Sequence, residues 1–356
     1  MGILAKIQRR SLRAGDLVEV RSIDEILDTL DTRGALEGLP FMPEMLAHCG
    51  KRFEVWKRAD KTCDESNGGT LRRLKNTVHL KELRCDGAAH GGCDAGCLLF
   101  WKEQWLKRVD FSERPVSTDA GAYAIAPRCT LDTLAGATRR AHSAEEADPG
   151  ESFSCQATEI SEFSSPLPWW NAGQYLRDVL TGNVSLREFL SGMFIGAFNK
   201  IQHSRSESEF QSVSGMNAKT PRANLNLSPG DLVQIKSRSE IRQTLTRQGK
   251  NCGLSFRPAM VPYCGGQYRV LRRVAKIIRP DTGKMISLGE NCVILDGVVC
   301  TGIMKRFCPR KVYTYWRDIW LTKLPETASV RVQAEESATS RTDGEPLPEP
   351  SSPSSL

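Results

Sequence analysis

The sequence lacks the short motifs of the common enzyme classes. Its 356 residues contain no GxxxxGK[ST] phosphate loop, no GxGxxG after a strand, no GxSxG and no HExxH. Histidine is scarce, with five in the chain and none between residues 227 and 324. The carboxylates show no paired spacing typical of acid–base catalysis. The sequence therefore names no reaction and leaves open whether the chain is an enzyme.

Long apolar runs are also missing. The most apolar stretch, Phe189–Phe198, has only ten residues, and a bilayer-spanning helix needs about 20. The start, MGILAKIQRRSLRAG, lacks the apolar stretch and cleavage site of a secretory signal. We therefore predict a cytoplasmic location. In such a reducing compartment, clustered cysteines more often bind metal than form disulfides, and this chain has twelve.

Net charge is +7, but residues 325–356 carry −4, which leaves +11 for the rest. This excess favours an anionic partner, such as a glycan or metabolite. The basic runs at 71–75 and 270–276 are interleaved with apolar residues, as in solvated strand faces. We therefore do not expect nucleic-acid binding.

The most informative feature is an internal repeat. LRAGDLVEVRSIDEILDTL returns 215 residues later as LSPGDLVQIKSRSEIRQTL, and the match runs without a gap from 12–109 against 227–324. Three cysteines are present in both copies, at Cys49, Cys85 and Cys93 in the first and at Cys264, Cys300 and Cys308 in the second. His90 and four further cysteines have another residue type at the equivalent position of the other copy, namely Cys63, Cys97, Cys252 and Cys292.

Each copy predicts an α+β domain. A Gly-Asp turn leads into an alternating strand, and Ser22 or Ser237 then caps a short helix ending at Leu30 or Leu245. Two further strand candidates follow, and a segment with two tryptophans four residues apart, expected in the core, closes each copy. By analogy we expect SH3-like barrels. The predicted segments are repeat 1 (12–109), a linker (110–150), a helical middle region (151–202), a linker (203–226), repeat 2 (227–324) and a disordered tail (325–356).

The middle region predicts two helices. The first ends at Gly182, and Ser185 with Glu188 forms a capping box that opens the second. We expect the second helix to be buried between the repeats. The alternative is peripheral membrane contact through residues 186–201, with Trp169 and Trp170 at the interface.

The shared cysteines predict metal binding, with Zn²⁺ the favoured ion, since four Cys or His ligands satisfy its tetrahedron. The candidate ligands are Cys49, Cys63, Cys85, His90, Cys93 and Cys97 in the first copy and Cys264, Cys292, Cys300 and Cys308 in the second. Three shared cysteines plus a fourth would complete each site: Cys63 or Cys97, or less readily His90, in the first copy, and Cys292 in the second. The rival interpretations are plain buried thiols and a redox role, since the chain contains no CxxC pair.

Cys129 and Cys155 lie outside both copies. Together with Cys93 and Cys97 they could form a second group of four cysteines, which suits Zn²⁺ or an iron–sulfur cluster. Cys155 stands in the polar motif SCQATE, without a basic neighbour in sequence that would activate its thiol. A structural role is therefore the favoured interpretation.

Several stretches carry a resemblance to known sequences. They are RADKTCD (58–64), NTVHLKELRCDG (76–87), HGGCDAGCLLFWKEQWL (90–106), SCQATE (154–159), PLPWWNAGQYLRD (166–178), GNVS (182–185) and RFCPRKVYTYWRDIWL (306–321). In these stretches the chain resembles an uncharacterised bacterial family of duplicated cysteine-rich proteins, encoded near glycosyltransferase, polysaccharide or natural-product genes. The resemblance implies functional roles for Cys129 and Cys155 and names no reaction.

Two functions follow as expectations. The first is a metal-stabilised accessory or interaction protein, with a protein partner or an anionic glycan or metabolite as ligand. The alternative is a metalloenzyme with zinc or iron held by the Cys/His set of the first copy. A structural role predicts equivalent metal in both copies, whereas an active site predicts metal in the first copy only. The sequence does not indicate an oligomeric state.

Overall fold

The computed structural model describes residues 11–109, 129–139, 151–204, 213–289 and 291–325. Most of the predicted linker 110–150, part of 203–226 and nearly all of the tail predicted from 325 lie outside these ranges. The first half and middle region contain strands β1 (Leu17–Val20), β2 (Ala35–Leu36), β3 (Leu39–Pro40), β4 (Arg52–Arg58), β5 (Lys61–Asp64), β6 (Thr70–Arg73), β7 (Thr77–Leu80), β8 (Trp101–Lys102), β9 (Leu106–Arg108) and β10 (Ser165–Pro166).

The second half contains the remaining strands, β11 (Leu232–Ile235), β12 (Lys250–Asn251), β13 (Leu254–Ser255), β14 (Gln267–Arg273), β15 (Lys276–Ile278), β16 (Met285–Ser287), β17 (Cys292–Leu295), β18 (Trp316–Arg317) and β19 (Leu321–Lys323). The α-helices are α1 (Ile23–Leu27), α2 (Leu131–Ala137), α3 (Gly173–Leu180), α4 (Leu186–Ser204) and α5 (Arg238–Arg242). Short 3₁₀ helices span Pro43–His48, Glu65–Asn67, Glu103–Trp105, Pro258–Tyr263, Ile303–Lys305 and Asp318–Trp320.

Two five-stranded antiparallel sheets dominate the fold. Their strand orders are β8-β7-β4-β1-β9 and β18-β17-β14-β11-β19, and each strand of one sheet lies 215 residues from its counterpart. Even the register irregularity recurs, after Val55 in β4 and after Val270 in β14. This α+β architecture is compatible with a duplicated β domain.

The described strands form no closed barrel. β8 and β9 stand at opposite edges of the first sheet, yet only the 3₁₀ turn Glu103–Trp105 separates them in sequence. The sheet must therefore curl until its edges approach, although β8 and β9 exchange no ladder hydrogen bonds. The expectation of a closed barrel was wrong on this point, because two-residue β8 is too short to extend the pairing.

The tryptophans form the centre of each core, as predicted. Trp101, Trp105, Trp316 and Trp320 are all fully buried. Phe41 packs edge-on against both tryptophans of its repeat, with ring centroids 6.2 and 5.1 Å apart. Edge-to-face packing of this kind adds about 0.5–1.5 kcal/mol beyond area burial.

The predicted helix caps are present. Ser22 accepts a hydrogen bond from the Glu25 backbone and Ser237 one from the Glu240 backbone, and both sites are complete capping boxes. The helices stop at Leu27 and Arg242, three residues before the predicted ends. After each helix a threonine hydroxyl accepts a hydrogen bond from the indole N–H of a core tryptophan. Thr29 accepts from Trp105, and Thr244 accepts from Trp320.

The middle helices contact both halves. In α3, Asp178 pairs with Lys61 of β5 at 2.5 Å, and both side chains are buried. At the start of α4, Phe189 stacks on Phe307 with ring centroids 5.8 Å apart. The α4 capping box is present, since Ser185 and Glu188 exchange hydrogen bonds.

Most of the described side chains of α4 are nevertheless exposed. Leu190 is 61% and Phe194 73% accessible, so the prediction of a helix buried between the repeats was wrong. The apolar residues lie on most sides of α4, and packing against Phe307 covers only one of them. In the described part of the chain no helix is long and apolar enough to cross a membrane.

Candidate metal centre

A tight loop from Cys85 to Cys93 begins the site. The Gly87 carbonyl accepts hydrogen bonds from the His90 and Gly92 backbone at 3.1 and 2.9 Å. Gly87 has φ +78°, and a Cβ there would lie 2.1 Å from the Cys93 carbonyl oxygen. Only glycine fits this position, and the resulting turn brings His90 back over Cys85.

His90 meets two acidic groups. Its Nε2 lies 3.3 Å from Cys85 Sγ, and its Nδ1 lies 3.9 Å from Oε1 of Glu44, on the 3₁₀ helix Pro43–His48. One ligand atom from each of the three residues lies within 4.8 Å of the other two. Among the described residues, no other group of three or more Cys, His, Asp or Glu side chains has its ligand atoms within 4.8 Å of one another.

The three side chains are buried, and several of their polar atoms lack hydrogen bonds. The side chains of Glu44 and His90 are only 5% and 2% exposed. Among the described residues no N–H or O–H group bonds the Glu44 carboxylate, which is left with the Cys85 thiol as its donor, and Nδ1 of His90 has no hydrogen-bond partner. A buried carboxylate with so little compensation is strongly unfavourable. A cation bound by Glu44, Cys85 Sγ and His90 Nε2 would neutralise the carboxylate, and Nδ1 would then carry the ring proton.

Burial sets the protonation of the site without metal. It raises the pKa of the Cys85 thiol well above its usual range, and the negative charge of Glu44 raises it further. Burial also lowers the pKa of His90, although Glu44 and Asp86 act in the opposite direction. A bound cation would displace the proton of the Cys85 thiol, whereas the neutral imidazole of His90 has no proton to lose at its ligand nitrogen.

Two further cysteines lie beside this group. The Cys85 backbone N–H donates to the Cys97 carbonyl at 2.8 Å, and negative charge on Cys97 or Cys155 raises the pKa of Cys85. Burial raises the pKa of Cys155 to about 12, while backbone N–H groups of Thr158 and Ala157 bond its sulfur. Cys97 and Cys155 are therefore the nearest candidates for a fourth ligand.

The other predicted ligands lie elsewhere. Cys49 and Cys264 each follow a 3₁₀ helix and pack against the core of their own half. Buried Cys129 lies near Gly34 and forms no ligand group within 4.8 Å with Cys93 and Cys97, whereas Cys292 is buried in β17. Neither Cys49, Cys85 and Cys93 nor Cys264, Cys300 and Cys308 form a group within 4.8 Å. Their roles as ligands remain predictions.

Cys93 and Cys308 belong instead to contacts between the repeats. Cys93 Sγ accepts the backbone N–H of Ile278 at 3.4 Å, and Cys308 Sγ accepts that of Cys63 at 3.2 Å. The two contacts are equivalent under the 215-residue offset, since Cys308 corresponds to Cys93 and Ile278 corresponds to Cys63. Such reciprocal contacts are the pattern of an isologous interface.

The second repeat has no equivalent of two of the three candidate ligands. Its loop has the same turn, since the Gly302 carbonyl accepts hydrogen bonds from Lys305 and Phe307 at 2.9 Å. However, Lys305 stands at the position of His90 and Ala259 at that of Glu44. In residues 213–289 and 291–325 no equivalent group of ligands forms.

Glu44 was not predicted as a ligand from the sequence, because only cysteine and histidine were considered as ligands. The sequence did contain one signal, a carboxylate in the short segment PEMLAH at the position where the other copy has Ala259.

No protein-family model, curated protein or solved structure matches this chain.

Proposed function

We propose that the first repeat binds one Zn²⁺ ion through Glu44, Cys85 and His90. The observation that carries this proposal is the grouping of the buried Glu44 carboxylate with Cys85 and His90, where no N–H or O–H group of the described residues bonds the carboxylate. Tetrahedral zinc, with Zn–S of about 2.3 Å and Zn–N of about 2.1 Å, separates the two donors by about 3.6 Å. Cys85 Sγ and His90 Nε2 are 3.3 Å apart, so a small outward movement admits the ion.

The burial of the site supports a structural role, because a catalytic zinc must meet its substrate. The loop that carries Cys85 and His90 continues to Asp94, which contacts the second repeat. The Asp94 backbone N–H donates to the Lys276 carbonyl at 2.9 Å, and the Asp94 carboxylate accepts the Ala275 N–H at 2.9 Å. Metal in the first repeat would therefore hold both the loop and the junction between the repeats.

We extend the proposal to an accessory protein that serves a glycan or natural-product pathway. The resemblance to duplicated cysteine-rich proteins supports this role. The exposed Leu190 and Phe194 on α4 support a protein as partner. The strand order, with a 3₁₀ turn between the edge strands, supports a distant SH3-like relationship.

Metal analysis of protein purified without added metal tests the proposal. We expect about one Zn²⁺ per chain, since the second repeat lacks the equivalents of Glu44 and His90. Two ions per chain would favour the symmetric thiolate sites predicted from the shared cysteines. Coloured, iron-containing protein or metal-free protein would overturn the proposal.

Zinc affinity should rise with pH. Because burial raises the pKa of Cys85, the thiol is protonated at neutral pH and zinc must displace one proton. Because burial lowers the pKa of His90 below its usual value, the imidazole is neutral above about pH 7 and adds nothing to the slope there. Between about pH 7 and 8 the affinity should therefore increase about tenfold per pH unit. Chelator competition across this range measures the slope, and a flat profile would show that Cys85 is not a ligand.

A metalloenzyme is the second candidate, and the number of donors favours it. Three protein ligands that include a carboxylate leave one position for water, as in catalytic zinc sites. If Cys97 or Cys155 fills that position, the site is structural. Cobalt substitution distinguishes the two, since its absorption spectrum responds to added azide only where an open position exists.

A further inference from the structure

A second pair of cysteines lies between the repeats, apart from the zinc site. Cys63 comes from β5 of the first repeat and Cys308 from the loop 300–308 of the second. The backbone N–H of Cys63 donates to Cys308 Sγ at 3.2 Å, and the two side chains pack in one buried cluster with Leu71 and Leu167. Both residues are buried, with 8% and 5% exposure.

A buried cation without a paired carboxylate lies beside these sulfurs. Arg310 is 3% exposed, and its guanidinium donates to the Cys63 carbonyl at 3.0 Å. Its Nε has no hydrogen-bond partner. Of the acidic residues that the structure describes, none forms an ion pair with Arg310, and nearby Glu65 pairs with Arg257 at 3.2 Å. An uncompensated buried guanidinium favours negative charge close by.

Backbone N–H groups point at the sulfur of Cys308. It accepts hydrogen bonds from the N–H groups of Cys63 and Arg310. The Gly302 N–H bonds the sulfur of Cys300 in the same way. N–H···S bonds of this kind stabilise thiolates that serve as metal ligands.

We propose that Cys63 and Cys308 form a two-thiolate site for a soft monovalent d¹⁰ cation of the Cu⁺ class, held between the repeats. Binding replaces the two thiol protons by two sulfur–metal bonds and releases both protons. Thiolates are the ligands that select Cu⁺ in proteins. This site is distinct from the zinc site.

Charge balance selects the monovalent ion. Two thiolates and one monovalent cation carry a net charge of −1, which Arg310 neutralises. A divalent ion on the same two sulfurs would leave a net positive charge in a buried place. A disulfide would remove the negative charge that compensates Arg310, so the guanidinium favours the thiolates over the oxidised pair.

The other junction provides a natural control. There Cys93 accepts the backbone N–H of Ile278, which occupies the position of Cys63. The chain thus shows that isoleucine is tolerated at the equivalent place. Cys63→Ile should therefore remove one sulfur and preserve the contact between the repeats.

Titration of the zinc-loaded full chain with Cu⁺, against a chromogenic Cu⁺ chelator and without oxygen, tests the proposal. We expect one tightly bound Cu⁺ per chain in the wild type and at least 100-fold weaker binding in Cys63→Ile and in Cys308→Ser. The control variant Cys129→Ser, at another buried cysteine, should bind like the wild type. Zinc content should be unchanged in all of them.

Unchanged Cu⁺ affinity in Cys63→Ile would overturn the proposal. If that variant does not fold, X-ray absorption of copper in the wild type decides. Two sulfur neighbours are expected, and nitrogen or oxygen donors would contradict the site. Binding of a second Zn²⁺ that competes with Cu⁺ would show a divalent site and reject the monovalent assignment.

Discussion

Replacing Cys85 with serine should abolish zinc binding by the whole chain. A structural zinc site contributes about 10–16 kcal/mol in total over its ligands, so one lost ligand should weaken binding by at least about 100-fold. The serine hydroxyl is nearly isosteric but does not ionise in this buried place. Zinc content after dialysis against a weak chelator should fall from one ion to none, and the melting temperature should fall with it.

The matched control is Cys300→Ser, the same substitution at the equivalent position of the second repeat. The second repeat has Ala259 and Lys305 at the positions equivalent to Glu44 and His90, so Cys300 has no partner ligands there. This variant should therefore retain the zinc of the first repeat. Loss of zinc in both variants would indicate two coupled sites, and retention in Cys85→Ser would remove Cys85 from the ligands. His90→Ala should behave like Cys85→Ser.

Alanine at Gly87 should destabilise the protein far more than alanine at Gly50. Both glycines have a left-handed backbone, with φ +78° and +72°, and the strain of a side chain there is about 1–2 kcal/mol. At Gly50 the new Cβ would meet nothing within 4 Å, whereas at Gly87 it would lie 2.1 Å from the Cys93 carbonyl oxygen. The clash should add about 3 kcal/mol or more.

Thermal unfolding of the wild type and the variants after treatment with a chelator measures the difference without a contribution from zinc. At about 2–4 °C per kcal/mol, Gly50→Ala should lower the melting temperature by about 5 °C and Gly87→Ala by more than about 10 °C. Gly87→Ala should also lose zinc, because the displaced loop carries both Cys85 and His90. Gly302→Ala, with the same clash at the Cys308 carbonyl, should be similarly unstable and yet keep zinc. Equal effects at Gly50 and Gly87 would contradict the close packing.

The sequence predicted features that depend on neighbouring residues or on the repeat. The caps at Ser22 and Ser237, the buried tryptophans and most of the strands follow from local patterns, and these were confirmed. The exposure of α4 was not predicted, because apolarity over ten residues does not show which sides find a partner.

The candidate sites were harder to predict because their members meet only through the fold. The structure brings Cys85 and His90 into one group, whereas the sequence grouped Cys85 with Cys49 and Cys93 and gave His90 as the less favoured fourth ligand. Glu44 reaches the site from a different element, and no spacing rule connects it to His90. Cys63 was assigned to its own copy, whereas the structure places it against Cys308, 245 residues away.

The reciprocal contacts of Cys93 with Ile278 and of Cys308 with Cys63 imply a form of avidity. Because one chain carries both partners, each repeat meets the other at an effective concentration in about the millimolar range. An association far too weak to hold two separate molecules together would thus remain formed in the linked chain. The two junctions therefore need not be identical, and one of them contains a second sulfur where the other contains an apolar side chain.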